Sequence, residues 1–205
     1  MIAVVEKLEE AEAPSESVRL RLVQLAEQLA RKDGDTTEHT TAVARVAVGI
    51  ASELGLSGKR LRHVELGALL HDVGKLTIPD RILKKPSRLT QLEWVAMQRH
   101  AASGERLLLR ILDLPDVLAV VRSHHERWDG AGYPDRMRGD EIPLGARIVA
   151  VADAFQAMVE PRTYRPPLSR VATLAELIRN AGTQFDPACV DALRRVLERE
   201  ELRGK

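Results

Sequence analysis

Between its Gly- and Pro-bearing breaks, this chain runs in long stretches of Ala, Leu, Val, Arg and Glu with few consecutive β-branched residues. Such stretches favour helix over strand, and the pattern predicts an all-α fold. Aromatic residues make up 3% of the chain, so aliphatic side chains and alanine have to build the core. At 205 residues and 44% hydrophobic content, the chain is long enough for one globular domain with a real core and a small appendage.

Start and stop signals divide the sequence into helices. The first is expected over 15–31, with Ser15 as N-cap and Gly34 as stop. A second runs from Thr36 or Thr37 to Leu54. Its apolar stripe includes Val43, Val46 and Ile50, and His39, four residues before Val43, falls on that inward stripe. A third covers 58–72 and ends in "HDVGK". A fourth, 90–112, starts with the capping-box pattern "TQLE". A fifth begins at Pro115 and carries His124 and His125 at its end. "DGAGYPDRMRGDEIP" is loop by its Gly, Pro and Asp content, and a helix over 143–159 contains Asp153. Two more, near 168–181 and 187–200, close the chain.

The net charge of +1 gives no broad attraction to nucleic acid or to a membrane surface, so DNA, RNA and membrane are not expected as partners. No stretch approaches the roughly 20 apolar residues of a membrane span. The apolar start is too short for a signal peptide, which makes the cytoplasm the expected location. The lone Cys189 excludes an intrachain disulfide and a thiolate metal site, and reads as a small helix-packing residue.

Five of the six histidines, with three aspartates, form a list of candidate metal ligands: Asp35, His39, His71, Asp72, His100, His124, His125 and Asp153. A single inward histidine is usually a satisfied core residue, and an Asp at a helix end is usually a cap. The joint pattern is different. Several His and Asp on separate helices, with no thiolates, suit a borderline-to-hard divalent cation. The adjacent His71 and Asp72 put a nitrogen and a carboxylate on one turn, and a carboxylate can bridge two cations, so the pair could seed a dinuclear centre. "HHERWD" is not an HExxH zinc motif, because Asp129 stands four after His125, and "DGDTTEH" lacks the offsets of a calcium loop. His63, beside Arg62, falls outside the pattern.

With those residues in view, the chain resembles the HD-GYP domain, a branch of the HD phosphohydrolase superfamily. The matching pieces are "DTTEHTTAVARVA" (35–47), "GALLHDVGKLTIPDRILKKPSRLT" (67–90), "MQRHAASGERLL" (97–108), "VRSHHERWDGAGYP" (121–134), "GARIVAVADAF" (145–155) and "PRTYRPP" (161–167). The resemblance implies an HD-type bundle of about seven to nine helices with the metal site in its core. It implies a catalytic domain over 31–205 and an N-terminal helix, 1–30, that packs on or extends it. The implied activity is metal-dependent hydrolysis of cyclic di-GMP to pGpG, to GMP, or to both. The implied metal ligands are His39, His71, Asp72, His100, His124, His125 and Asp153, holding two ions, iron or manganese. Asp35, one helical turn before His39 and one methylene shorter than the Glu of three-metal members, is the candidate ligand for a third. Lys75 corresponds to the lysine that contacts the scissile phosphate, which puts Asp72 and Lys75 at the catalytic centre, and Arg162 and Arg165 correspond to the pair that grips the substrate phosphates. Tyr133 is read either as stacking on a guanine or as packing its loop.

One position departs from the family, whose last ligand helix reads Asp-x-x-Asp. Here Asp153 is followed by Gln156, which keeps a hydrogen-bonding shape but cannot accept a proton. Two rival readings follow: an HD phosphohydrolase acting on another nucleotide or a mixed cyclic dinucleotide, and a non-catalytic cyclic di-GMP receptor. A helical scaffold without a site does not explain the joint His/Asp pattern. Partners beyond the cyclic dinucleotide would be a second copy of the chain or other signalling proteins. With about 30 residues ahead of the match, the chain reads as a stand-alone catalytic domain or a piece of a longer protein.

Overall fold

The computed structural model describes residues 16–33, 37–161 and 166–203. Among them are nine α-helices and no strand: α1 (Glu16–Asp33), α2 (Thr37–Glu53), α3 (Gly58–Leu70), α4 (Asp80–Leu83), α5 (Gln91–Leu108), α6 (Pro115–Ser123), α7 (Leu144–Val159), α8 (Arg170–Arg179) and α9 (Pro187–Arg203). Two 3-10 turns, Val73–Thr77 and Gly139–Glu141, complete the described elements. None of the described helices is long and apolar enough to cross a membrane.

The helices follow from their apolar stripes. On α2, Val43, Ala47, Ile50 and Ala51 are buried at helical spacing, and that stripe packs on α3, α7 and α9. Helix α7 is apolar around much of its circumference, with Ile148, Val149, Val151, Ala152 and Phe155 all buried, so it runs through the interior. The core is aliphatic and rich in alanine, with Phe155 and Phe185 as its aromatic members, and Cys189 of α9 is fully enclosed in it. Small residues let the axes approach. An added Cβ at Gly67 of α3 would sit 2.7 Å from Val120 of α6, so the two helices meet at a glycine.

Element boundaries differ from the sequence expectation at several ends: α6 stops at Ser123, ahead of His124 and His125, α8 and α9 run over Arg170–Arg179 and Pro187–Arg203, and two more differences bear on the packing around the site. Helix α3 stops at Leu70, not at Asp72, and "HDVGK" leaves it as the turn Val73–Thr77. The reason is steric. A Cβ on Gly74 would lie 1.8 Å from the His100 carbonyl oxygen, so α5 seats directly on this turn. Helix α5 ends at Leu108, not at 112, where the chain tightens: the Ile111 N–H bonds the Leu108 carbonyl at 2.8 Å, burying Leu112. At its other end the expected capping box is present. Thr90 Oγ1 accepts from the Glu93 N–H at 3.3 Å, and the Glu93 carboxylate accepts from the Thr90 N–H at 2.8 Å.

Candidate metal centre

His39, His71, His100 and His124 stand on or at the end of helices whose buried faces also belong to the core, and His125 follows α6 in a turn. His71 and His124 are the C-cap residues of α3 and α6, and His100 lies on the inner face of α5. In all three, Nδ1–H donates to a carbonyl three residues back: His71 to Ala68 at 2.7 Å, His100 to Met97 at 2.8 Å and His124 to Val121 at 2.8 Å. A neutral imidazole has one N–H, so this makes Nε2 the lone-pair atom of His100 and His124, and of His71 once that ring gives up its second proton. The three Nε2 atoms point inward. Those of His100 and His124 lie 3.3 Å apart. His71 Nε2 is buried and has no hydrogen-bond partner, with Asp72 Oδ2 3.3 Å away.

Asp72 sits at the middle of the group. Its Oδ1 lies 3.4 Å from His100 Nε2 and 3.9 Å from His124 Nε2, while Oδ2 faces His71 and takes the Lys75 ammonium at 2.8 Å. Ligand atoms of Asp72, His100, His124 and His125 all lie within 4.8 Å of one another, a cluster able to bind a metal ion. On the side formed by α2 and α7, His39 Nε2 stands 3.4 Å from Asp153 Oδ1. His39 is buried, as its stripe position predicts.

The charge states suit cation binding. Burial, with the neighbouring rings, holds His100 and His124 below their ordinary values and pushes His125 down to about 4, which favours the neutral form that a cation binds. Burial would raise Asp72, but His71 and Lys75 outweigh it and keep its carboxyl well below the usual range. Asp153 is likewise lowered, burial being outweighed by the His39 hydrogen bond and His71. His71 and His39 are the exceptions: burial lowers both, but Asp72 and Asp153 raise His71 to about 9, so in the metal-free chain a proton stands there, and hydrogen bonds to Asp153 and Glu160 raise His39. An orphaned buried nitrogen, oriented Nε2 atoms and ionised carboxylates without thiolates together fit a divalent cation.

The loop after His125 forms a wall. Tyr133 stacks on His125 with ring centroids 4.8 Å apart, and Trp94 of α5 meets Tyr133 edge-on at 6.4 Å. Gly132 lets the loop fold back, because a Cβ there would be 2.4 Å from the Arg127 nitrogen. The buried Glu126 carboxylate accepts the N–H groups of Asp135 and Arg136 at 2.6 and 3.0 Å, and Arg122 grips Asp135 through two bonds. Three carboxylates were not picked out from the sequence. Asp33, at the end of α1, bonds Lys75 at 2.7 Å; Glu160 bonds His39; and Glu126 ties the loop. Their type and helix-end positions read equally well as solvated charges. His63 pairs with Asp116 at 2.9 Å, away from the cluster. Gln156 donates to Glu160. Asp35, Arg162 and Arg165 lie outside the described residues.

Comparison with known proteins gives the family and the fold. The family model described as "HD domain" matches residues 21–189. The cyclic di-GMP phosphodiesterase response regulator RpfG of Xanthomonas campestris pv. campestris is 42% identical over 95% of this chain and 50% of its own length. A cyclic di-GMP phosphodiesterase of Thermotoga maritima is 41% identical over 82% of this chain and 46% of its own. A 3′3′-cGAMP-specific phosphodiesterase of Vibrio cholerae is 36% identical over 82% and 33%. The chain thus spans half or less of the length of these relatives. Among solved structures, the HD domain of the Listeria monocytogenes phosphodiesterase PgpH shares the fold, with a TM-score of 0.61 at 16% identity over 88% of this chain and 97% of that one.

Proposed function

The chain belongs to the HD-domain family, as the HD-GYP resemblance led one to expect, and we propose that it is a metal-dependent phosphodiesterase that opens cyclic di-GMP to pGpG and then to GMP. The observation that carries this reading is the convergence of three histidine Nε2 atoms, each locked by its own Nδ1 hydrogen bond, around the ionised carboxylate of Asp72. The named activity of the relatives supports the substrate class.

In this reading His39, His71, Asp72, His100, His124, His125 and Asp153 would hold two ions, iron or manganese. Asp35 is the ligand available to a third. Such ions supply Lewis-acid stabilisation of phosphodiester charge and a water of lowered pKa. The chain's own residues do the rest. Lys75, fixed between Asp33 and Asp72, offers its ammonium to a non-bridging phosphate oxygen. Tyr133, with one face taken by His125, closes the side of the site, which supports the packing reading of that residue. Arg162 and Arg165 are proposed to grip the phosphates. Glu126 and Arg122 keep the loop from drifting over the opening.

The test is turnover of cyclic di-GMP by the full chain loaded with Mn(II), or with Fe(II) without oxygen, with products separated by chromatography and bound metal counted in the same sample. Linear pGpG or GMP from a metal-loaded sample is expected. Metal-loaded protein that leaves cyclic di-GMP intact would refute the proposal. Cleavage of 3′3′-cGAMP in that same sample would move the substrate to a mixed ring, a reading favoured by Gln156 at a usual Asp position, and binding without turnover would favour a receptor.

A further inference from the structure

We propose that Glu160 is a positioning residue of the metal centre. It holds the His39 ring in the orientation that points Nε2 at Asp153, so that the half of the site on α2 and α7 takes its own cation. The inference rests on the metal-centre reading above.

The geometry is specific. Glu160 Oε2 accepts a hydrogen bond from His39 Nδ1 at 2.6 Å, which turns Nε2 toward Asp153 Oδ1 at 3.4 Å. The other carboxylate oxygen of Glu160 accepts from Gln156 Nε2 at 2.7 Å, so the side chain is held from both ends. Glu160 is the C-cap residue of α7, with its N–H on the Gln156 carbonyl at 3.1 Å. It lies seven residues, two helical turns, after Asp153, and therefore on the same side of the helix end. Gln156, one turn nearer, carries no charge. The anion that orients His39 is thus placed at 160.

The other oriented histidines are built differently. His71, His100 and His124 each donate to a carbonyl of their own helix, and that bond forms wherever the helix forms. His39 relies on a partner 121 residues away, brought up by the packing of α2 on α7. A carboxylate on the outer nitrogen of a ligating histidine fixes the ring and raises its basicity, and losing such a partner weakens metal binding about 10–100-fold. Loss of Glu160 therefore strikes one cation and spares the other, which is held by Asp72, His100, His124 and His125.

Metal-stripped full chain, wild type and variants, is titrated with Mn(II) by calorimetry. Wild type is expected to take two ions. Glu160→Ala is expected to keep one at wild-type affinity and to weaken the second about 10–100-fold. Glu160→Gln, which keeps an acceptor without charge, is expected to lose less. Nitrogen-15 spectra of the zinc-loaded chain supply a readout besides affinity: the His39 Nδ1–H signal of wild type should be lost or displaced in Glu160→Ala. Two ions bound at wild-type affinity by Glu160→Ala would overturn the inference and leave the metal-centre reading standing. Loss of both ions together would also overturn it, making Glu160 a support of the fold. Wild type that takes up no Mn(II) would sink the metal-centre reading and this one with it.

Discussion

Gly74 is the point where site and fold are most tightly joined, and Gly74→Ala probes both. The added Cβ would sit 1.8 Å from the His100 carbonyl oxygen and 2.5 Å from the Gly104 nitrogen, both main-chain atoms of α5 that no rotamer change can clear. An ordinary carbon–oxygen contact is about 3.4 Å, so α5 and the turn have to separate by roughly 1.6 Å. Over-packing of this kind costs about 1–3 kcal/mol when side chains can yield, and with backbone on both sides about 3 kcal/mol or more is expected. With a urea slope of about 2 kcal/mol per molar, the unfolding midpoint should fall by roughly 1.5 M. The same displacement moves His100 away from Asp72, now 3.4 Å distant, so Mn(II) affinity should fall beyond what the lost stability explains. Urea unfolding of the metal-free chain gives the first number and calorimetry under conditions where the variant is fully folded gives the second. A variant within about 0.5 kcal/mol of wild type that binds Mn(II) normally would show that the close approach of α5 to this turn is wrong.

Lys75→Ala leaves Asp33 and Asp72 facing each other without their shared cation; it should cost about 3 kcal/mol or more and lower turnover about 10²–10³-fold. Adding Asp33→Asn should recover stability but not rate, which unfolding and kinetics on the pair would check. The metal-free chain should be most stable near pH 6.5. Above it, His71, raised to about 9, holds its proton only when folded, so its contribution fades as pH rises toward 9; below it, His125, lowered to about 4, resists a proton that the unfolded chain accepts, so stability falls with acid. Urea midpoints across that range test the sign on each side, and Mn(II) should abolish the alkaline fall by replacing the proton at His71. Leu193→Ala, in the fully buried face of α9, should cost about 2–5 kcal/mol by thermal or urea unfolding while sparing metal stoichiometry.

Most of the candidate ligand residues could be picked out because they announce themselves locally. His71 and Asp72 are adjacent, His124 and His125 are adjacent, and His39 sits on a stripe whose period alone turns it inward. The same local character made the helices readable, since capping pairs such as Thr90 and Glu93 act within one turn. The exact ends were less so. Whether α3 continues through Asp72 depends on how near α5 comes, and a glycine in "HDVGK" does not say which backbone it makes room for.

What the sequence determined by itself, then, is the helical class, the set of nitrogen and oxygen donors and the Nδ1 bonds made inside single helices, because these follow from side-chain type and from spacings of one to four residues. Only the tertiary structure decided which atoms meet: that His100 and His124 bring their Nε2 atoms to 3.3 Å, that Asp33 reaches Lys75 across 42 residues and that Glu160 reaches His39 across 121. A carboxylate at a helix end looks the same in sequence whether it faces water or a buried imidazole. Its role is set by which helix packs beside it, and that is fixed by the fit of whole apolar faces such as those of α2 and α7.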